Sequence, residues 1–125
     1  MKRIINTSNA PAAIGPYSQA VEVSQTLYIS GQIPLNPETG KIVEGGIGEQ
    51  TQQVMKNIGA ILEAAGYTFP HVVKSTCLLS DMVNFKAMND VYGKYYPKNA
   101  PARAAFAVKD LPMGVLVEIE TIAVK

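Results

Sequence analysis

The stretch APARAAF, residues 100–106, sets one arginine, Arg103, among four alanines, a proline and a phenylalanine. Small neighbours neither shield a guanidinium nor pair with it, so the room beside Arg103 suits an anion that enters from outside. The planar fork of a guanidinium holds a carboxylate by two parallel charge-assisted hydrogen bonds, which a lysine does not copy. The plainer alternative is a solvated or ion-paired arginine at a strand start. A second candidate, Glu118, lies in the final segment VLVEIETIAV. It either pairs with Arg103 or Lys109 at an interface, or serves as a group that orients or deprotonates a water.

Other reactive side chains point nowhere in particular. Ser30 lies in no Gly-x-Ser-x-Gly elbow and the single histidine, His71, sits in a different segment, so serine catalysis is not expected. One histidine and one cysteine cannot build a zinc site, and no metal is expected. GGIG before the first helix lacks the Gly-Lys-Ser/Thr of a phosphate loop and reads as helix-entry punctuation. Tyr92, Tyr95 and Tyr96 read as core and rim of a helix rather than a base-stacking platform, and Cys77 as a small buried hydrophobe.

With 125 residues the chain is expected to form one domain, 1–125. A domain of this size buries roughly 65–70% of its unfolded surface and needs no disulfide to fold. The net charge is +1 with scattered Lys and Arg, which leaves no electrostatic footprint for nucleic acid. No apolar run approaches the ~18 residues of a membrane span. A lone cysteine and no signal-like start place the expected compartment in the cytoplasm.

The elements that must position these residues follow from periodicity. A short strand at Arg3–Asn6 precedes NAPAAIGP, whose two prolines forbid a helix. Strands are expected at Tyr17–Ser24 and Thr26–Gly31 around a tight turn, and a short one at Ile42–Glu44 after the NPETGK turn. Ile47, Val54, Met55, Ile58, Ile61, Leu62 and Ala65 fall on one helical face, and Gly66 is a natural stop. HVVKSTCLLS is a strand. Phe85, Met88, Val91, Tyr92 and Tyr95 mark a second helix that Pro97 closes. Strands at Arg103–Val108 and Val115–Val124 end the chain.

That order predicts an α+β fold with two helices on one face of a mixed sheet. In the last strand the odd positions from Val115 to Ala123 belong under the helices. The even ones, Leu116, Glu118, Glu120, Ile122 and Val124, make a face too apolar for water and too charged for a core. Such a face is best hidden against another subunit, so an oligomer with its sheets inward is expected. Taking Phe106 and Val108 as core residues leaves Arg103, Ala105 and Ala107 on the second face. If the two final strands pair, Arg103 and Glu118 share it.

APAAIGPYSQAV, YISGQIP, GEQTQQVMKNI, MNDVYGKYYP, PAR and LVEIETIA stand in one order at one spacing. Together they resemble the RidA family, also called YjgF or L-PSP, and its archetypal imine-deaminase branch, over residues 2–125. The resemblance implies a chorismate-mutase-like α+β fold, assembled as a homotrimer with ligand clefts between subunits. It implies hydrolysis of 2-imino acids, formed by tautomerisation of enamines from pyridoxal-phosphate dehydratases, to 2-keto acids and ammonia without a cofactor. By motif, Arg103 would bind the substrate carboxylate and Glu118 would be the catalytic carboxylate. Tyr17, Ser30, Gly31 and Asn89 would line the cleft. Ala105, also at the substrate, stands where many archetypal members have a cysteine, so chemistry by that thiol is not open to this chain. Members of the family are also described as ribonucleases, translation inhibitors and chaperone-like proteins. Cleavage of RNA, or binding of small carboxylates without turnover, therefore remain the alternative readings.

Overall fold

A computed structural model describes all 125 residues. The chain runs β1 (Arg3–Ile5), β2 (Ala20–Val23), β3 (Thr26–Gln32), β4 (Leu35–Asn36), β5 (Lys41–Ile42), α1 (Ile47–Ala65), β6 (Val72–Leu79), α2 (Phe85–Tyr92), β7 (Ala102–Ala107) and β8 (Val117–Val124). One six-stranded sheet has the order β1-β2-β3-β8-β6-β7, and β4 with β5 forms a separate ribbon. Only β6 and β7 pair in parallel, so the sheet is mixed, as expected for an α+β chain. No helix is long and apolar enough to cross a membrane.

Helix α1 has the predicted bounds for the predicted reasons. At its start the Gly46 N–H donates to Glu49 Oε1 at 2.8 Å, meeting one of the orphan donors of a helix N-terminus. At its end Gly66 takes φ 84°, and the N–H groups of Gly66 and Tyr67 donate to the carbonyls of Glu63 and Leu62. That pair of bonds is a Schellman closure. Val54, Met55, Ile58, Ile61 and Leu62 are buried to within 1% against the sheet. Each such side chain contributes roughly 1.5–3 kcal/mol of burial.

Helix α2 is shorter than its pattern. The α-helical part stops at Tyr92 and continues as a 3₁₀ turn over Gly93–Tyr95. Phe69, Tyr95 and Tyr96 pack ring against ring there, with centroids 5.1 and 5.7 Å from Phe69. The first hairpin strand also begins late, at Ala20, because the proline-bounded loop extends through Ser18. Buried Gln19 fastens that loop: its Oε1 accepts from the Thr7 N–H at 2.7 Å, and its Nε2 donates to the carbonyls of Thr7, Ala10 and Pro11. The ribbon strand β5 lies at Lys41–Ile42 rather than Ile42–Glu44.

Ser24 and Gln25 turn the chain between β2 and β3 with φ of 47° and 65°. A two-residue hairpin with both centres left-handed favours Asn-Gly, and a side chain there costs about 1 kcal/mol. Gln25→Gly is therefore expected to raise the thermal midpoint by a few degrees. A lower midpoint in calorimetry would contradict a strained turn.

The sheet's two faces are set by register. Ser75 of β6 is level with Arg103 of β7 and Thr121 of β8, and Cys77 is level with Ala105 and Ile119. Ser75, Cys77, Ile119 and Thr121 are buried beneath the helices. Leu78 is level with Phe106 and Glu118 on the opposite, open face. The predicted alternation of β8 holds: Val117, Ile119, Thr121 and Ala123 are buried, and Glu120 and Val124 are exposed.

Candidate active site in two halves

The expectation that Arg103 and Glu118 share one face is not met. The final strands do not pair, because β6 lies between them. Two strand spacings separate β7 from β8, about 10 Å. Arg103 belongs to the helix face and Glu118 to the open face. Phe106, taken from sequence as the core marker of β7, is 47% exposed on the open face. The reason lies in α2, which covers the helix side of this edge strand with aromatic rings that accept the guanidinium.

Arg103 and its surroundings form the first half. Its Nη1 donates to Asn89 Oδ1 at 2.6 Å, and its Cζ lies 5.1 Å from the Tyr92 ring centroid and 5.4 Å from that of Phe85. No carboxylate accompanies it: the chain's two ion pairs are Arg3–Glu22 and Lys86–Asp90. A partly buried cation without a counterion attracts an anion. Beside it is an open hollow of 480 Å³, walled by Asn89, Tyr92, Tyr96 and Pro101. Ala105, two residues along on the same face, packs partly against the core. The Cys77 thiol level with it is pushed up to about 11 by burial, against a smaller pull from Arg103. It is a poor nucleophile at neutral pH.

Glu118 and the residues around β3 form the second half. The β3–β8 ladder shifts register between Ile29 and Gln32, which places Ser30 and Gly31 in the irregularity. Gly31 abuts the carboxylate: a Cβ there would lie 2.2 Å from Glu118 Oε2, so a side chain at this position would displace Glu118. Burial, with a smaller contribution from the Glu120 charge, raises the Glu118 carboxyl above the usual range. Glu118 makes no ion pair. A raised carboxyl is a stronger base than an ordinary one once ionised, which suits it to accept a proton from water. Its strand is held at the start by buried Gln50 of α1, whose Oε1 accepts from the Leu116 N–H at 2.8 Å.

Tyr17 and Gly31 line one 370 Å³ pocket together with Ile14, Ile33, Leu35 and Met113. Tyr17 is half exposed, and its hydroxyl accepts from the Ile14 N–H at 3.5 Å. Ser30 is more committed than its sequence context shows. Its hydroxyl donates to the Ser18 carbonyl at 2.6 Å and its N–H to the Gln19 carbonyl at 3.0 Å. Only its lone pairs remain for a ligand. The structure thus groups Arg103, Asn89 and Ala105 in one place and Glu118, Gly31, Ser30 and Tyr17 in another.

Sequence reasoning missed four supporting residues. Phe85 and Tyr92 read only as helix core, although their spacing to Asn89, four and three residues, puts all three on one helical face. Gln19 and Gln50 are buried amides that find backbone partners, and nothing in their mixed sequence surroundings signals that burial.

Comparison with known proteins places the chain in a family and a fold. The profile of the family described as endoribonuclease L-PSP matches residues 7–125. A Capra hircus relative named 2-iminobutanoate/2-iminopropanoate deaminase is 55% identical over 125 residues, all of this chain and 91% of its own. A crystal structure from Thermotoga maritima superposes with a TM-score of 0.98 at 50% identity, covering 100% of this chain and 98% of that one. The Escherichia coli protein TdcF, crystallised with bound serine, gives a TM-score of 0.93 at 37% identity, covering 98% of each chain. With the profile spanning all but the first six residues and close relatives matching end to end, the chain belongs to the L-PSP family, the family of the RidA deaminases.

Proposed function

We propose that this chain hydrolyses 2-iminobutanoate and 2-iminopropanoate to the 2-keto acids and ammonia, at sites formed between copies in a cytoplasmic homotrimer. One observation carries the reading: an unpaired guanidinium and an unpaired carboxylate of raised pKa occupy opposite faces of one chain. Each is half of a site that grips a carboxylate and activates water, and a second copy supplies the other half. A ring of copies joined by unlike surfaces brings two such faces together. Tyr28, Phe106 and Val124 on the open sheet face are 50, 47 and 41% exposed, apolar area that inward-facing sheets would cover. The names of the relatives and the serine bound by TdcF, a small amino carboxylate, support the same substrate class. The one cysteine is a buried free thiol, suited to a reducing compartment.

In this account Arg103 holds the substrate carboxylate by two charge-assisted bonds and so fixes C2. Glu118 of the partner subunit takes a proton from a water whose oxygen bonds to C2. The imine π electrons move to nitrogen, giving a carbinolamine. Glu118 returns its proton to that nitrogen, the C2–N bond breaks as ammonia departs, and the hydroxyl proton passes through Glu118 to the ammonia as the C–O bond becomes the keto carbonyl. Protonated imine plus water equals keto acid plus ammonium, with no change of redox state and so no cofactor. Proximity supplies most of the rate, because a protonated imine is already electrophilic. Tyr17 and the Ser30–Gly31 segment wall the cleft. Ala105 leaves the substrate side open, and Ala105→Cys is expected to change the rate by no more than about threefold. The assay belongs in reductant, since the new thiol would stand opposite Cys77. A large gain on installing the cysteine would assign chemistry to the thiol instead of to Glu118.

RNA cleavage is the rival that the family's description raises. It calls for an acid–base pair, and the one histidine is occupied: His71 Nδ1 accepts from the Thr68 N–H at 2.9 Å within a turn. Ammonia release from freshly generated 2-iminobutanoate, with RNA cleavage assayed in parallel, separates the readings. The account expects ammonia and intact RNA. Cleaved RNA without ammonia would replace it, and ligand binding without either product would leave a non-catalytic module.

A further inference from the structure

The guanidinium of Arg103 is not simply present at the hollow; three residues of α2 converge on it. Phe85, Asn89 and Tyr92 stand four and three residues apart, which stacks them on one face of the helix. The two ring centroids lie 5.4 and 5.1 Å from Cζ, both inside the range at which a ring quadrupole attracts a cation. Asn89 Oδ1 takes one Nη1 hydrogen at 2.6 Å. A guanidinium has five N–H donors, so four stay free for an incoming anion. An arginine side chain also loses much rotamer freedom on binding unless its plane is fixed beforehand.

The Tyr92 hydroxyl separates ring from tail. It is buried beside the Ser75 hydroxyl and makes no bond to the guanidinium, whose side-chain partner is Asn89. The hydroxyl therefore adds nothing direct to holding Arg103, which leaves the Tyr92 ring face as the part that acts.

We infer that Phe85, Asn89 and Tyr92 are positioning residues for Arg103: two rings and one amide oxygen fix the guanidinium plane so that its free edge meets the substrate carboxylate. Asn89 accordingly orients the arginine rather than contacting substrate first. This inference rests on the carboxylate-gripping role proposed for Arg103. It predicts that losing the clamp weakens carboxylate binding without removing the charge.

The test is titration calorimetry of the full-length oligomer with 2-oxobutanoate, the keto-acid product, beside thermal melts. Phe85→Leu and Tyr92→Leu are each expected to raise Kd by about threefold to tenfold. Tyr92→Phe keeps the ring and is expected to bind as the wild type does. Asn89→Asp keeps the shape but places a carboxylate on the fork. It is expected to raise Kd at least about tenfold while leaving the fold as stable or more so. A purely structural role predicts the reverse pattern, with melting points falling and Kd unchanged in the folded fraction. Wild-type Kd in Phe85→Leu overturns the clamp, and that variant decides even where Tyr92→Leu fails to fold. Wild-type binding by Asn89→Asp overturns it as well. Arg103→Ala serves as the control: if it still binds 2-oxobutanoate, the carboxylate-gripping role itself fails. If it loses binding while the α2 variants keep theirs, only the clamp fails.

Discussion

Arg103→Ala is expected to lower kcat/KM for 2-iminobutanoate by about a hundredfold or more while leaving a folded oligomer. Each hydrogen bond to a charged group contributes roughly 1.5–3 kcal/mol, and two are lost. A loss of 1.4 kcal/mol is a factor of about ten. Arg103→Lys keeps the positive charge but not the planar fork, and the α2 rings and Asn89 are arranged around a guanidinium. It is expected to fail nearly as badly. Because Arg103 has no carboxylate partner in the chain, its loss breaks no ion pair. An Arg103→Ala protein that is folded, assembled and fully active would remove the carboxylate grip.

Glu118→Gln is expected to separate activity from stability. It removes the proton acceptor, so kcat falls strongly while 2-oxobutanoate still binds. Stability moves the other way. Burial raises the Glu118 carboxyl in the folded protein, so the fold binds its proton more readily than the unfolded chain does. The stability linked to that proton is fully present below the ordinary carboxylate range and is lost as pH rises through the raised value. Wild-type Glu118 carries that loss wherever it is ionised, whereas glutamine has no charge to desolvate. Glu118→Gln is therefore expected to melt higher than wild type on the alkaline side of the raised value, with the advantage vanishing in acid. The same raised value makes wild-type activity fall on the acid side at a higher pH than an ordinary carboxylate would give. A variant that melts lower at neutral pH, with activity lost only in proportion, would make Glu118 a structural partner.

Much of this was legible in the chain because local signals agreed. The apolar face from Ile47 to Ala65, followed by Gly66, gave α1 its bounds to the residue. Alternation in β8 placed Glu118 on the open face, as the register shows. Arg103 and Glu118 were singled out by residue type and surroundings. The relation between them was not legible. Nothing local tells β7 to pair in parallel with β6 instead of antiparallel with β8, since that choice is made by the α2 crossover and the packing it brings. Within β7, alanines surround one arginine and one phenylalanine, and reading the phenylalanine as buried inverted the strand. An edge strand has no such obligation, and here the rings that cover its inner side come from α2. The tie that Ser30 makes was not legible either: its hydroxyl serves the loop that Gln19 also fastens, a long-range contact with no sequence period.

The separation of Arg103 and Glu118 onto opposite faces leads to one measurement that tests the account directly. Arg103→Ala and Glu118→Gln chains, each inactive alone, are mixed, unfolded, refolded together and assayed for ammonia release. If each site takes its arginine from one copy and its carboxylate from the next, random assembly rebuilds about one site in four and activity returns to that level. If a single chain carries a whole site, every chain in the mixture lacks one member, and the mixture stays as inactive as its parts.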